Sequence, residues 1–312
     1  MDRIVQAKLI KLIMENIKVA TVILTYNETK FTQNLVKLLL DDIFSDYIIV
    51  VDNSDNDAFI NSNRSIFSNL NPSVFYLKTP CNNGFAAGNN YALKYITENF
   101  KVDYIWIINN DIIPQKNAGQ FLIKEIQANN NKAICGSILF YYNGKPTVDE
   151  HSIIQCYGGG TFYPYLAKSK LFMKGKNLSD LKNIGSVNLD FIIGASMMVP
   201  ISLIKEVGYI PEEYFMYNEE MDWQTLAGKK GYKRIVAKDS HIIHMDGLST
   251  KGKKYTYYFY INRSFIMYCK KYYKSLLIFA VASKIFEIIF FTPKIINKKY
   301  SFKGLYQGLI YK

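Results

Sequence analysis

Four short polar segments in the first half of the chain carry side chains suited to hydrogen bonding and to metal binding. They are Thr25-Tyr26-Asn27, Asp52-Asn53-Ser54, Asn82-Asn83-Gly84 and Asn109-Asn110-Asp111. Carboxylates and amides can hydrogen-bond a base or a ribose, and a carboxylate can hold a divalent cation beside phosphate oxygens. Each segment follows a run of apolar residues, so its position depends on the element before it.

Those apolar runs predict buried strands at residues 19–24, 47–51, 74–77 and 104–108. Stretches with helical spacing lie between them, for example residues 31–40 and 86–95. Strands that alternate with helices predict a parallel sheet that is buried on both faces. Ligands of such sheets bind beyond the carboxyl ends of the strands. We therefore expect the four polar segments to border one crevice, which indicates a nucleotide-type ligand.

A cluster of acidic residues later in the chain, Glu219, Glu220 and Asp222, could do proton-transfer chemistry. Like charges this close together raise the pKa of at least one carboxyl group, which suits a general base that works near neutrality. The alternative is an acidic first turn that complements the dipole of a helix beginning there. That alternative explains Asp222 better than it explains all three residues.

Length and composition bound the class of protein. The 312 residues suffice for one sizeable α/β domain with an appendage. The 38 Lys and Arg residues against 26 Asp and Glu give a formal charge of +12, which fits nucleic acid, an anionic membrane surface or a phosphate-bearing substrate. The four cysteines lie far apart without a C-x-x-C pair, which argues against a zinc knuckle or a disulfide framework. We expect a cytoplasmic protein.

The chain divides into three predicted regions. Residues 1–17 predict an amphipathic helix rather than a signal peptide, because no clean apolar core with a cleavage site follows. Residues 18–250 form the predicted α/β domain, and residues 251–312 a basic, aromatic, helical C-terminal region. Within the domain, the glycines at 158–160 suggest a flexible excursion that reaches to about residue 186, and residues 190–199 predict a buried strand.

The apolar stretch at residues 276–293 is borderline for a membrane-spanning helix, because it contains Lys284 and Glu287. Two interpretations remain open for it. It could lie in a membrane interface with its lysine flanks on the lipid surface, or it could pack on the α/β domain. Lys253, Lys254 and Arg263 are interpreted as a patch that faces lipid phosphate.

The motifs resemble those of family 2 glycosyltransferases. Residues 20–27 and 50–54 look like the opening of that family, and Asn82-Asn83-Gly84-Phe85-Ala86-Ala87-Gly88-Asn89-Asn90 is similar to an element of its rhamnosyltransferase-like branch. The segment 109–111 stands where the family has its metal-binding D-x-D, and similar elements follow in the family's order at residues 194–198, 217–223, 244–249 and 257–263. The resemblance covers roughly residues 19–271. It implies a Rossmann-like GT-A fold, with a mixed sheet, helices on both faces and a C-terminal helical extension.

The resemblance also implies roles for individual residues. The nucleotide-sugar donor would be bound by Thr25, Tyr26, Asn27, Asp52, Asn83, Gly84, Asn89, Asn110 and Asp111. Asp111 would hold Mg²⁺ or Mn²⁺ together with His244, although Asn109 replaces the first Asp of D-x-D and lowers the charge of the site. The alternatives are a turn cap for Asp52 and a structural histidine for His244.

For the acidic cluster, the family pattern E-D-x-D makes its second acidic residue the catalytic base. That residue is Glu220 here, and Leu226 stands where the family often has an arginine. The aromatic residues Tyr209, Tyr214 and Tyr217 could stack on the sugar faces of an acceptor, whereas ordinary core packing is favoured for Phe215.

The implied reaction is inverting transfer of rhamnose or a similar sugar from a dTDP- or UDP-sugar to a cell-surface glycan, such as O-antigen, lipooligosaccharide or capsule. We expect a lipid-linked acceptor, met through peripheral contact with the inner face of the cytoplasmic membrane. A non-catalytic nucleotide- or glycan-binding relative is the alternative, motivated by Asn109 and Glu220. A nucleic-acid-binding protein would explain the positive charge and the interleaved Tyr and Lys residues, but it leaves the acidic cluster unexplained.

Overall fold

The computed structural model describes residues 17–42, 44–185, 187–245 and 254–311. The predicted N-terminal helix and the predicted boundary at residues 250 and 251 lie outside the described residues, as do Lys253 and the side chain of Lys254. Strands occupy Val19–Thr25 (β1), Tyr47–Asp52 (β2), Val74–Lys78 (β3), Tyr104–Asn109 (β4), Ile112–Pro114 (β5), Ala133–Tyr141 (β6), Ile154–Tyr157 (β7), Gly159–Tyr163 (β8), Lys168–Leu171 (β9), Phe191–Ile192 (β10), Ser196–Pro200 (β11) and Lys233–His244 (β12).

The helices alternate with the strands in the first half of the chain and follow one another at its end. They occupy Lys30–Asp42 (α1), Asp57–Phe67 (α2), Gly84–Asn99 (α3), Ala118–Ala128 (α4), Ile201–Val207 (α5), Glu219–Lys229 (α6), Lys254–Tyr272 (α7), Leu277–Phe290 (α8) and Ile295–Ile310 (α9).

A mixed sheet forms the centre of the molecule, with strand order β3-β2-β1-β4-β11-β6-β12-β5, and β7 pairs with β6 at one side. β1 to β4 are parallel, as the strand-helix alternation predicts. β11 runs antiparallel between β4 and β6, and β5 runs antiparallel to β12. The carboxyl ends of β1, β2, β3 and β4 therefore meet at one edge of the sheet.

Helices cover both faces of this sheet. Along β1 the side chains alternate, so that Val19 and Ile23 join the core under α1 and α4, while Ala20 and Val22 join the core under α3 and α6. A strand that is buried on both faces reads as a continuous apolar run, which explains why these strands were visible in the sequence.

The expectation of a flexible excursion after residue 158 is wrong. Gly159 and Gly160 lie in β8, which pairs with β9 and β10 in a three-stranded antiparallel sheet. A Cβ atom on Gly159 would lie 1.7 Å from the Phe191 carbonyl oxygen, and one on Gly160 would lie 2.2 Å from the Lys170 carbonyl oxygen. The glycines thus permit close approach of backbone rather than freedom of movement.

The predicted strand at residues 190–199 is in fact two strands. β10 belongs to the small sheet and β11 to the central sheet, and residues 193–195 separate them. The apolar run is continuous because both strands are buried, so hydrophobicity alone does not show the break.

The C-terminal helices form an α-helical layer with its own core. Phe265, Ile266 and Cys269 of α7 pack with Leu305 of α9 and with Met221 of α6. Among the described residues, none of the helices combines the length and the apolar character that a membrane crossing requires.

Candidate active site

The side chains after β1 and β4 form a buried hydrogen-bond network. The Thr25 hydroxyl donates to the Glu28 carbonyl oxygen at 2.8 Å and accepts from the Thr32 hydroxyl at 3.0 Å. The Asn110 amide donates to Thr25 Oγ1 at 3.3 Å, and to Glu28 and Thr32 as well. In this conformation Thr25 and Asn110 therefore bind each other and the start of α1, and they fix the spacing of the two strand ends.

Tyr26 and Asn27 lie on the surface of the same edge, where they converge on a residue that the sequence analysis did not single out. Asp55 accepts a hydrogen bond from the Tyr26 hydroxyl at 2.9 Å and another from the Asn27 amide at 2.7 Å. These two bonds lower the pKa of the Asp55 carboxyl group. Asp55 stands three residues after the end of β2. This closeness to a strand end is the signal that could have identified it.

Asp52 is fully buried at the end of β2, and both of its carboxylate oxygens have protein partners. One oxygen accepts from the Ser54 backbone N–H at 2.8 Å, and the other accepts from the Asn63 amide and the Tyr76 hydroxyl, each at 2.9 Å. Asp52 thus ties the turn after β2 to α2 and β3.

Next to Asp52, a cleft of about 680 Å³ opens between the start of α2 and the end of β3. Asp55, Arg64, Lys78 and Asn82 are among the residues that line it. Both signs of charge are therefore available to a polar ligand at this edge of the sheet.

The glycine-rich segment at the start of α3 is shaped by the loop before α6. Gly84 has φ +94°, and a Cβ atom there would lie 1.9 Å from the Phe215 carbonyl oxygen, which accepts the Phe85 backbone N–H at 2.9 Å. Asn83 is the N-cap residue of α3. Only glycine combines this left-handed backbone with so close a contact.

Two amides on α3 behave differently from each other. Asn90 clamps the loop after α5: its amide donates to the Ile210 carbonyl oxygen at 2.7 Å and its oxygen accepts the Ile210 N–H at 3.0 Å. Asn89 donates to the Phe85 carbonyl oxygen at 2.9 Å, while its buried Oδ1 atom has no hydrogen-bond partner among the described residues. A buried acceptor without a partner is costly, so Asn89 is available to a donor group of a ligand.

Asp111 and His244 lie side by side where β4 and β12 end. Both side chains are buried, and His244 Nε2 is 3.2 Å from Asp111 Oδ1 and 3.4 Å from the Asn109 amide. On the other side of the ring, His244 Nδ1 donates to Gln155 Oε1 at 2.8 Å. Because Nδ1 is engaged with Gln155, Nε2 is the ring nitrogen that faces Asp111.

This pair fits a divalent cation in its chemistry. A carboxylate oxygen and a neutral imidazole nitrogen are both ligands for Mn²⁺, and a carboxylate serves for Mg²⁺. Among the residues that the structure describes, no group of three or more His, Cys, Asp and Glu side chains could hold an ion alone. The rest of the shell would therefore come from substrate oxygens and water. Gln155 was missed because β7 is a four-residue strand that the sequence analysis did not predict.

Glu219 and Glu220 begin α6 as a pair of carboxyl groups in a poorly solvated position. In the described part of the chain, neither Glu219 Oε2 nor Glu220 Oε2 has a hydrogen-bond partner. Burial raises the pKa of Glu219 well above its usual range, and the neighbouring Glu220 charge adds to this. Burial also raises the pKa of Glu220, to about 7. One carboxyl group of the pair therefore keeps its proton while the other titrates near neutrality.

Asp222, on the same helical turn, is buried and fully paired. It accepts hydrogen bonds from the Tyr214 hydroxyl at 2.7 Å, from Lys271 Nζ at 2.7 Å and from the Tyr272 hydroxyl. Lys271 and Tyr272 belong to α7. Asp222 thus joins the α/β domain to the C-terminal helices, and the structure does not bring it together with the other two carboxylates in one function.

A short series of contacts joins Glu220 to the Asp111 and His244 pair. A Cβ atom on Gly194 would lie 4.0 Å from Glu220 Cγ. The carbonyl oxygen of the next residue, Ala195, accepts the Asn109 N–H at 3.1 Å, and the Asn109 amide reaches His244. The segment 193–195, which separates β10 from β11, therefore brings the acidic pair to the strand ends.

The aromatic residues before α6 divide between core and surface. Tyr214 is buried, Phe215 stacks on Tyr260 of α7 with ring centroids 4.6 Å apart, and Tyr217 meets Tyr257 edge to face at 5.5 Å. Tyr209 is exposed on the far side of α3, where it contacts Thr97.

Comparison with known proteins identifies the family. The model of glycosyl transferase family 2 matches residues 21–201, which is more than half of the chain. The chain belongs to glycosyl transferase family 2. This family 2 chain is also similar to the low-salt glycan biosynthesis hexosyltransferase Agl10 of Haloferax volcanii, with 25% identity over 179 residues that cover 56% of the chain and 51% of that protein. The chain therefore spans about half the length of this relative.

Solved structures agree on the fold. The crystal structure of GalNAc-T7 with UDP, GalNAc and Mn²⁺ is similar with a TM-score of 0.65 and 12% identity, over 93% of this chain and 55% of that one. The mannosyltransferase PcManGT from Pyrobaculum calidifontis, in complex with GDP-Man and Mn²⁺, has a TM-score of 0.55 and 11% identity, over 98% of this chain and 93% of that one. The predicted GT-A fold with a C-terminal helical region is confirmed.

Proposed function

We propose that this chain transfers a sugar from a nucleotide-diphosphate donor to a hydroxyl group of a glycan acceptor, with inversion at the anomeric carbon. The observation that carries the proposal is the Glu219 and Glu220 pair, whose buried oxygens lack partners among the described residues beside the segment that contacts the strand ends. The relatives support it, since one is a hexosyltransferase and the solved mannosyltransferase was crystallised with a nucleotide sugar.

Glu220 is the proposed general base. The acceptor oxygen forms a bond to the anomeric carbon while the bond from that carbon to the diphosphate oxygen breaks, and the diphosphate leaves with the electron pair. The hydroxyl proton passes to the Glu220 carboxylate. A pKa of about 7 suits this role, because the group is largely ionised just above neutral pH and still basic enough to accept a proton.

Asp111 and His244 are the residues proposed to hold Mg²⁺ or Mn²⁺. When bound, the ion would neutralise charge on the diphosphate leaving group. The chain's own contribution is to orient the ligands: Gln155 fixes the His244 tautomer, and Asn109 sets the position of the imidazole from the strand end.

The donor would lie along the carboxyl ends of β1 to β4. Its base and ribose fit the cleft beside Asp55, Arg64 and Lys78, where Tyr26 and Asn27 form the rim. Thr25, Asp52, Asn83, Gly84 and Asn110 shape this edge, and Asn89 offers its unpaired oxygen. A dTDP- or UDP-linked rhamnose or similar sugar is the donor that the motif resemblance favours.

The acceptor is proposed to be a lipid-linked glycan destined for the cell surface, approached through peripheral contact with the cytoplasmic face of the membrane. α8 carries a row of large apolar side chains on the side away from the domain: Ile278, Phe279, Phe286 and Phe290 are 74%, 60%, 56% and 66% exposed. Its other side is buried at Ala280 and Ile288. The buried side packs within the protein, and the exposed apolar side supports the proposal that this helix lies in a membrane interface.

Thermal unfolding with UDP, dTDP, GDP and CMP, each with and without Mn²⁺, tests the donor site. We expect one nucleotide to raise the Tm, and Mn²⁺ to increase that shift. Asp111→Asn should lose the metal-dependent part of the shift and keep the rest, whereas the exposed Asp239→Asn on β12 should change neither. No stabilisation by any nucleotide would overturn the proposal, and a shift without metal dependence would remove Asp111 and His244 from the metal site.

A further inference from the structure

A second cavity, of about 330 Å³, lies between β9 and the C-terminal helices, away from the strand-end crevice. Lys168 and Ser169 of β9 form one wall, and Tyr258, Asn262 and Lys284 of α7 and α8 are among the residues on the other. Polar donors therefore converge on it from the small sheet and from the C-terminal helices.

Lys284 is the most unusual residue of this cavity. Its side chain is only 4% exposed, and among the described residues its one hydrogen-bond acceptor is Glu287, at 3.0 Å. The ammonium group also lies 5.1 Å from the centre of the Phe265 ring. Burial lowers the pKa of Lys284, and Glu287 opposes that shift. A buried ammonium with three donors and one acceptor has room for a further anionic partner.

The charge around the cavity favours an anion. Lys168 and Lys284 are its two cations, and Glu287 is its one carboxylate among the described lining residues. Across residues 277–311, Glu287 is the one acidic residue, against five lysines. A phosphate group in the cavity would therefore balance the excess positive charge of its lining.

The cavity opens on the apolar face of α8. Phe291 lines it and is itself 72% exposed. Its ring lies 5.9 Å from that of Phe286, which lies 4.7 Å from that of Phe290. Polar and apolar binding surfaces are thus continuous, which is the arrangement that an amphiphile requires rather than a free anion.

One residue that lines the cavity contacts the loop that leads to the acidic pair. Tyr257 belongs to its lining and packs edge to face on Tyr217, three residues before Glu220. By contrast, Arg263, which the sequence placed in a lipid-phosphate patch, donates to the backbone oxygens of Tyr214 and Glu213 and lies over the Tyr311 ring. Arg263 is thus engaged within the protein, and Lys168 and Lys284 are the two cations that line the cavity.

We propose that this cavity binds the phosphate group of the lipid-linked acceptor, with the hydrocarbon chain along the exposed face of α8 and the sugar directed past Tyr257 toward Glu220. The inference rests on the proposed glycosyl transfer, because that reaction supplies the reason for an acceptor at this place.

Co-sedimentation with lipid vesicles tests the assignment on the full chain. We would compare phosphatidylcholine vesicles that contain phosphatidylglycerol, whose phosphodiester matches a phosphate held between a lipid and a sugar, with vesicles that contain oleate, an anionic lipid without phosphate, at matched surface potential. We expect tighter binding to phosphatidylglycerol, a loss of roughly fivefold on Lys168→Gln, and a change below about twofold on Lys170→Gln. Lys170 is the matched control, since it is exposed on the same strand and does not line the cavity.

Equal losses in the two variants, or equal binding to the two lipids, would overturn the phosphate site and leave only diffuse attraction to a charged surface. Displacement from the vesicles by inorganic phosphate at constant ionic strength, with no gain from the hydrocarbon chain, would overturn the lipid as its source.

The nucleotide-dependent Tm shift separates this inference from the proposed function. Lys168→Gln should leave that shift unchanged, because Lys168 lies outside the strand-end crevice. Loss of vesicle selectivity with an intact nucleotide shift therefore concerns the acceptor site alone, whereas absence of the nucleotide shift in the unmodified chain concerns the transfer reaction.

Discussion

The two sides of the first turn of α6 treat buried carboxyl groups in opposite ways. On one side, Asp222 receives hydrogen bonds from Tyr214, Lys271 and Tyr272. On the other, Glu219 and Glu220 keep an oxygen each without a partner among the described residues. All three stand within four positions of the sequence, so the difference comes from what the rest of the fold brings to each side.

This contrast separates structural from chemical carboxylates. A paired carboxylate uses its oxygens in hydrogen bonds within the fold, whereas an unpaired buried one has a raised pKa and can exchange a proton near neutral pH. The first kind should matter for stability and the second for activity. Four changes test this division, and they are given from the largest expected effect to the smallest.

Replacing Glu220 by Gln should remove the base while the shape of the side chain is kept. We expect the transfer rate to fall by about 10²–10⁴-fold, with the nucleotide-dependent Tm shift retained. Initial rates of sugar transfer or of donor hydrolysis measure this. Glu98→Gln, an exposed change on α3, serves as the control. A rate within about threefold of the original would make the chain a non-catalytic binder or move the base elsewhere.

Replacing Asp222 by Ala should act on stability instead. The change leaves two tyrosine hydroxyl groups and the partly exposed Lys271 without their shared acceptor, at a cost of about 2–4 kcal/mol of unfolding free energy. Urea unfolding followed by circular dichroism measures it. The activity per folded molecule should stay within a few-fold. An unchanged stability with lost activity would place Asp222 in the chemistry.

The pH dependence of kcat/KM should report the titration of the Glu220 carboxyl group. Because Glu220 has a pKa of about 7 and acts in its ionised form, kcat/KM should fall about tenfold per pH unit well below 7 and reach a plateau above it. Rates between pH 5 and 9, corrected for any unfolding, give the profile. A flat profile between pH 6 and 8 would contradict the assignment.

Replacing Glu219 by Gln should have the smallest effect, a modest gain in stability at alkaline pH. The folded pKa of Glu219 is raised, so the folded state binds the proton more tightly, and stability is lost as pH rises from the unfolded value of about 4.3. Gln removes that loss. A gain of about 1 kcal/mol in unfolding free energy at pH 8 would raise the Tm by roughly 2–4 °C. At pH 4 the two proteins should melt together, and a larger gain there than at pH 8 would refute the explanation.

Much of the fold was visible in the sequence, because its signals are local. The strands before residues 25, 52, 78 and 109 are apolar runs with polar ends, and the helices between them keep one apolar face each. The small sheet of β8, β9 and β10 was not visible, because Gly159 is required by backbone 32 residues later and Gly160 by backbone 10 residues later. A turn and a close contact select glycine for different reasons, and the residue type alone does not distinguish them.

For the candidate site, the sequence indicated which residues have suitable chemistry but not which of them find partners. Asp111 and His244 stand more than 130 positions apart, and their neighbourhood depends on the pairing of β12 with β5. Gln155 was missed because a single amide in a short strand has no distinctive pattern, and Asp55 was missed although it follows the end of β2 by three residues. Asp222 has partners that Glu220 lacks partly because α7 supplies Lys271 and Tyr272. No local signal in the sequence relates α7 to α6.

The bond between Asp222 and Lys271 also sets an order of events during synthesis of the chain. The two residues are 49 positions apart, so at about 5–20 residues per second the ribosome adds the lysine roughly 2–10 s after the aspartate. Until then, the buried carboxylate in the first turn of α6 is without its cation, and the contacts between α6 and α7 are missing. A chain cut before residue 271 should consequently be recognised by chaperones and proteases. A chain that includes Lys271 can form the charge pair and should be recognised less.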